Sequence, residues 1–290
     1  MSDTEKFFTR ANEILDRLEG IIPANNCLYF NTKNANCWSY NSTSNKLEAI
    51  TRHSEISLDD LLCIDNQKKQ LLLNTRQFLN GLPANNVLLW GPRGTGKSSL
   101  IKALFNQYQA DGLKIIEIQR DDMKKLPEIC DLLYELQHRF ILYCDDLSFE
   151  ENDPGYKIIK VMLDGSIKQT PENVLIYASS NRRHLLPEKM QDNLDSGFID
   201  GELHYGDNVE EKLSLSERFG LWIAFHPFNQ EQYLSIVKYW LGKYLETTEP
   251  LSLEAQKAAL EWALLHGSRS GRCAMLFTKD WAGKLGLSES

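Results

Sequence analysis

The chain has 290 residues, 42% hydrophobic and 25% charged, ordinary globular usage with enough length for one large domain or two to three small ones. Its net charge of −8 argues against a general nucleic-acid-coating role, although local basic sites are compatible with it. Apolar runs such as VLLW, FILYC and LWIAF fall far short of the roughly 20 residues that span a bilayer. With no basic-then-apolar signal pattern in MSDTEKFFTR, a cytoplasmic protein with no membrane partner is expected.

In chain order, Phe7, Phe8, Ala11, Ile14, Leu15, Leu18 and Ile22 recur at intervals of three and four, predicting an amphipathic helix packed on the body. Asn25 to Asn45 is rich in Asn, Ser and Thr with isolated aromatics such as Trp38 and Tyr40, which suggests short strands in a hairpin. Residues 1–57 thus read as an N-terminal region of one helix and short strands. The six cysteines contain no CxxC pair and read as reduced thiols, and Cys27, Cys37, His53 and Cys63 do not have zinc-finger spacing.

A helical pattern follows from Leu58 to Leu79, with an Asp-rich start and a stop at Gly81 and Pro83. Strands are predicted at Val87–Trp90, Lys114–Gln119, Phe140–Cys144, Val174–Ser179 and Leu221–Phe225. Helices fall between them near Ser98–Gln109, Leu126–Gln137 and Gly155–Lys168. Near-continuous apolar strands alternating with helices imply a parallel sheet covered on both faces, an α/β domain over 58–228. Beyond Phe228 only helical periodicity remains, so 229–290 reads as a small all-helical domain.

Gly91-Pro92-Arg93-Gly94-Thr95-Gly96-Lys97-Ser98 matches GxxxxGK[ST], with NVLLW before it and SLIKALFNQYQ after it. In such a turn, successive backbone N–H groups and a helix N-terminus aim at one anion, and side chains at Gly94 or Gly96 would block its approach. The stretch Gly91 to Ser99 is therefore a phosphate cradle: Lys97 reaches the β- and γ-phosphates and the Ser98 hydroxyl ligates Mg²⁺. A triphosphate is the expected ligand. Arg139 to Asp146 supplies the second half-site, an apolar strand ending in two acids. Strand alternation points them different ways, so Asp145 is assigned to the metal and Asp146 to the attacking water.

These residues resemble the AAA+ ATPase superfamily from about Leu58 to the C-terminus. The resemblance implies a P-loop sheet domain with a helical lid, ATP and Mg²⁺ as ligands, and a cycle of hydrolysis coupled to conformational change or remodelling of a protein client. It assigns Asn181, after the fourth strand of the α/β domain, to orienting the water. It assigns Arg218, in LSLSERFGLWIAF, to the nucleotide of a neighbouring subunit, which implies a homo-oligomer; a salt-bridged surface arginine is the alternative. Arg272, in Gly267-Ser-Arg269-Ser-Gly271-Arg272, is the lid arginine, with Arg269 the runner-up; Leu62 and Ile64 lie against adenine, although ordinary core residues would look the same.

The family pattern has Asp-Glu where this chain has Asp145-Asp146; the shorter side chain implies slow hydrolysis, with Glu150 or Glu151 a weaker substitute. An adaptor or loader that binds ATP and hardly hydrolyses it is therefore the alternative, and the Asn181, Arg218 and Arg272 positions argue against a small-molecule kinase. The loop QRDDMKKLPE lacks the aromatic-apolar-glycine tip of threading unfoldases, and no long DNA-probing insertion precedes Asn181. Nucleic acid is thus possible but not indicated as a partner: the basic run Asn181-Arg182-Arg183-His184 could touch a phosphate backbone, and pairing with local acids is the preferred reading. The acidic segment Asn193 to Lys212 reads as a partner contact or as a solvated insertion. More narrowly, GLPANNVLLWGPRGTGKSSL, DDLSFE, VLIYASSNRRHLLPE and EEKLSLSERFGLW are similar to a bacterial branch of predicted ATP-binding proteins, the domain of unknown function 815.

Overall fold

The computed structural model describes residues 35–149, 153–164, 171–183, 185, 197–199, 202–204, 215 and 217–288. The helix expected over Phe7–Ile22, the acids Glu150 and Glu151, and most of Asn193 to Lys212 lie outside the described residues. Strands β1 (Cys37–Asn41) and β2 (Lys46–Ala49) open the described chain, followed by α1 (Asp65–Leu79), β3 (Val87–Trp90), α2 (Lys97–Tyr108) and β4 (Leu113–Glu117). A tight 3-10 turn over Arg120–Lys125 leads to α3 (Leu126–Tyr134), β5 (Arg139–Cys144), α4 (Pro154–Asp164) and β6 (Val174–Ser180). A short antiparallel pair, β7 (Gly197–Ile199) and β8 (Glu202–His204), precedes β9 (Leu221–Ala224). Helices α5 (Gln230–Leu245), α6 (Leu253–Leu265) and α7 (Gly271–Ser288) complete it.

Among the described residues the main sheet has the order β2-β1-β4-β5-β6-β3-β9. Its pairs are parallel except for the β1–β2 hairpin. Alternation along each strand feeds two cores. Leu89, Ile115, Ile141 and Tyr177 face α1, α2 and the C-terminal helices through Leu71, Leu100, Tyr233 and Phe277. Leu88, Ile116, Phe140, Leu142 and Ile176 face α3 and α4 through Ile129, Leu133 and Ile159. A strand such as RFILYC is apolar at nearly every position because both its faces are covered, and at about 25 cal/mol per Å² this burial is the main stabilising contribution.

The hairpin is anchored by register. Cys37 pairs with Ile115 and Trp38 with Ile116, so β1 continues the sheet beyond β4. Its turn is set by Asn41, whose Oδ1 accepts from the amides of Thr43 and Ser44, and by Asn45 at φ 49, a left-handed conformation that Asn tolerates. The helix expected from Leu58 begins only at Asp65. Cys63 has φ 62, and the Ser57 amide donates to Asp60 Oδ2, folding residues 57–64 into a loop. The apolar positions at 58, 61, 62 and 64 have helical periodicity, but they belong to a loop packed against the helical C-terminal unit.

That unit starts cleanly. Asn229 caps α5 in a reciprocal capping box with Gln232, and Ser252 caps α6 through the Ala255 amide. Trp262, Phe277 and Trp281 interlock α6 with α7. No helix of the described residues is long and apolar enough to cross a membrane.

Candidate nucleotide site

Strands β5, β6 and β3 are parallel neighbours, so the turns that follow them emerge at one edge of the sheet. That edge is where the sequence puts the glycine-rich turn, the acid pair and Asn181. The Gly91 amide donates to the Ser180 carbonyl at 3.1 Å, linking the first turn to the third. Gly91 has φ +140, and a Cβ there would sit 2.1 Å from the Phe225 carbonyl oxygen, so no side chain fits. Gly96, at φ +104, caps α2 in the left-handed region and turns the helix N-terminus toward the cleft.

The cleft has a volume of about 480 Å³ and is lined by Arg93, Gly94, Thr95, Gly96, Lys97, Ser98 and Ser99 along its phosphate side. Gly91 and Pro92 lie behind this surface and offer their carbonyls to Lys97 Nζ at 2.6 and 2.8 Å. A third acceptor is Asn181 Oδ1 at 3.0 Å. Burial pushes the Lys97 ammonium down to about 8; Asp146 and Asp145 oppose that shift, while Arg93 and Arg272 reinforce it. This lysine is poorly neutralised as it stands. An incoming polyanion would complete its environment.

Asp145 Oδ1 accepts from Ser98 Oγ at 2.7 Å, from Ser179 Oγ at 2.5 Å and from the Asp146 amide at 3.1 Å. Burial raises its pKa, but the hydroxyls and amide outweigh burial and hold it below the usual carboxylate value. Ser98 and Asp145 thus bring a hydroxyl and an ionised carboxylate oxygen to nearly the separation of two adjacent ligands on a small octahedral cation. These are hard oxygen donors of the kind that suit Mg²⁺, and water and phosphate oxygens would supply the remaining positions.

Asp146 points elsewhere, but not through strand alternation: β5 ends at Cys144, and both acids lie in the turn that follows it. Its backbone is left-handed at φ 50, its Oδ1 accepts from Asn181 Nδ2, and Arg93 Nη2 lies 3.4 Å from its Oδ2. Arg272 lines the cleft from the start of α7, and its amide donates to the Gly94 carbonyl at 3.4 Å. Arg269 is exposed and is not among the lining residues. Arg218 lies outside the cleft as well, paired with Asp164 at the end of α4.

Leu62 and Ile64 line the same cleft, with Ile64 Cδ1 3.5 Å from where a Cβ on Gly96 would stand. With them stand residues that sequence reasoning missed: Ile56, Leu61, Phe228, Ile236, Trp240 and Met275. Ile236 and Trp240 are four apart on α5, a spacing that signals a shared face but not what the face covers. Asp60 fastens the 57–64 loop to α5. It is 5% exposed, and its carboxylate accepts from Tyr239 Oη at 2.7 Å and Lys243 Nζ at 2.5 Å. Burial raises its pKa, yet the Lys243, Ser57 and Tyr239 hydrogen bonds prevail and hold it at about 2. Ser179 was also missed; a serine inside VLIYASS carries no signal until β6 lies beside β5.

A phosphate-binding turn after β3, an acid pair after β5, an asparagine after β6 and a helical unit over the cleft define a protein of the AAA+ P-loop class. The RuvB Holliday junction branch migration motor of Thermotoga maritima has this fold: its TM-score is 0.53 at 18% identity, over 81% of this chain and 66% of that one. Within the class, the chain belongs to the family described as "Protein of unknown function (DUF815)", which matches residues 31–285.

Curated relatives match shorter stretches. The replication factor C large subunit of Staphylothermus marinus is 33% identical over 81 residues, covering 28% of this chain and 18% of that protein. An AAA-ATPase of Arabidopsis thaliana is 26% identical over 129 residues, covering 41% of this chain and 24% of its own length. The matches therefore span less than a quarter of either relative.

Proposed function

We propose that this chain binds ATP with Mg²⁺, hydrolyses it slowly, and uses the cycle to move the helical lid against the sheet domain and act on a protein client within a homo-oligomer. The observation that carries this reading is the 2.7 Å contact of Ser98 Oγ with Asp145 Oδ1, which joins two half-sites 47 residues apart in the chain at the mouth of a phosphate-binding turn. In this reading the amides of Gly94 to Ser99 and Lys97 hold the phosphates, and Ser98 and Asp145 hold the metal. A Mg²⁺ ion held there would supply charge neutralisation to the phosphates.

Asp146 accepts the proton of the attacking water, Asn181 orients that water, and Arg272 carries the presence of the terminal phosphate to the lid. Arg218 acts on a neighbour's nucleotide. Titration calorimetry of the full chain with MgATP, followed by phosphate release from wild type, Lys97→Ala, Asp145→Asn and Asp146→Asn, tests the scheme. Lys97→Ala is expected to lose binding, and Asp146→Asn to keep binding but lose turnover. ATP uptake that survives Lys97→Ala overturns the proposal.

A second reading is supported by the short acid at position 146, both of whose oxygens are already engaged. A chain built this way could serve as a nucleotide-gated adaptor that hardly turns over. In that case Asp146→Asn leaves the phosphate-release rate of wild type unchanged.

A further inference from the structure

Arg93 sits at the tip of the phosphate-binding turn, an exposed side chain on a loop whose neighbouring amides face the cleft. Its guanidinium lies against Asp146 Oδ2 at 3.4 Å, while Asn181 Nδ2 covers the other oxygen and Lys97 Nζ holds Asn181 Oδ1 at 3.0 Å. Lys97, Asn181, Asp146 and Arg93 thus form one chain of contacts across the phosphate end of the cleft. Each carboxylate oxygen of Asp146 thus already has a protein donor in this arrangement.

The Arg93–Asp146 pair is exposed on both sides, with 77% and 54% of the two side chains in contact with solvent. Such pairs are weak and exchange readily for a better partner. A terminal phosphate is a better partner, because it carries more charge than a carboxylate and accepts the guanidinium fork through two oxygens at once. A diphosphate ends one group short of that position.

Resting on the reading that this cleft takes ATP, we propose that Arg93 is a discriminator for the terminal phosphate, acting within its own subunit. Without nucleotide, or with ADP, it covers Asp146; with ATP it leaves Asp146 for the terminal phosphate. Uncovering of the acid is thereby tied to the presence of the group to be cleaved. Arg93 also supplies binding energy that ATP uses and ADP does not.

The test is calorimetric affinity for MgATP and MgADP in wild type, Arg93→Ala, Arg93→Lys, Asp146→Asn and the Arg93→Ala/Asp146→Asn double variant. Arg93→Ala is expected to weaken ATP about tenfold and ADP less than twofold, with Arg93→Lys recovering part of the loss. Asp146→Asn removes the competitor, so it is expected to tighten ATP severalfold in the wild-type background and to change nothing in the Arg93→Ala background. Equal weakening of both nucleotides in Arg93→Ala, no weakening, or the same Asp146→Asn effect in both backgrounds overturns the assignment while leaving the ATP site intact. A wild-type chain that binds neither nucleotide overturns the ATP reading itself, and Arg93 with it.

Discussion

Replacing Lys97 by Met should make the nucleotide-free protein more stable. Lys97 is 6% exposed, and burial holds its pKa at about 8 instead of 10.5. Below pH 8 the lysine is charged in both folded and unfolded chains, and the full penalty of keeping that charge in the cleft is present. Between 8 and 10.5 the unfolded chain binds more protons than the folded one, so wild-type stability rises with pH through this window and the penalty is relieved. The shift corresponds to an upper bound of about 3 kcal/mol.

Methionine also gives up the hydrogen bonds to Gly91, Pro92 and Asn181, whose acceptors then take cleft water, and this loss offsets part of that bound. A net gain of about 1–2 kcal/mol at pH 7 is expected, or about 2–6 °C in melting temperature. Differential scanning calorimetry from pH 7 to 10.5, with and without MgATP, reads it. Lys97→Met should melt above wild type at pH 7, lose that lead as pH approaches 10.5, and show no shift with MgATP. A variant that melts below wild type at pH 7, or whose lead is constant across the window, would refute the electrostatic account of this site.

Gly91→Ala should destabilise the fold by about 3–5 kcal/mol, because its Cβ would lie 2.1 Å from the Phe225 carbonyl oxygen at a φ of +140°; denaturant melts would show this as a lowered midpoint at unchanged slope. Asp60→Asn should cost about 1–2 kcal/mol at neutral pH. Asp60 has a depressed folded pKa, so its contribution is complete above about pH 4 and is lost as pH falls toward 2. Acid-unfolding curves of Asp60→Asn and wild type should therefore converge at the low end. Trp240→Ala should weaken MgATP about tenfold and leave tripolyphosphate affinity unchanged, since Trp240 offers the cleft an aromatic face suited to a base and no cationic group; equal loss for both ligands would show that the indole supports the whole cleft.

Much of the α/β core was legible because its signals are local. VLLW, FILYC and VLIY are apolar at nearly every position, the pattern of strands covered on both faces, and all three are strands in the structure. GPRGTGKS needs its glycines for backbone reasons that any fold would impose, as the positive φ values of Gly91, Gly94 and Gly96 confirm. The stretch 58–64 misled because leucines three and four apart signal a shared face, which a loop pressed under α5 satisfies as well as a helix turn does. Trp240, Phe228 and Ser179 were not legible as site residues. Each looks like an ordinary helix, boundary or strand residue until its partner from another part of the chain arrives.

What the sequence by itself determined is the kind of each segment and the chemistry of each turn: where backbone amides must lie bare, where an apolar strand stops in two acids, and where helical periodicity replaces strands. Backbone sterics and the period of burial act over a few residues, so the local text suffices. The tertiary structure alone decided that β5, β6 and β3 lie side by side, bringing Asp145 to Ser98, Asn181 to Lys97 and Arg93 to Asp146, and that residues from 56–64 and α5 line the same cleft. Those contacts join residues tens to more than a hundred positions apart, and their free energy comes from packing the two faces of one sheet, which no single stretch of the chain contains.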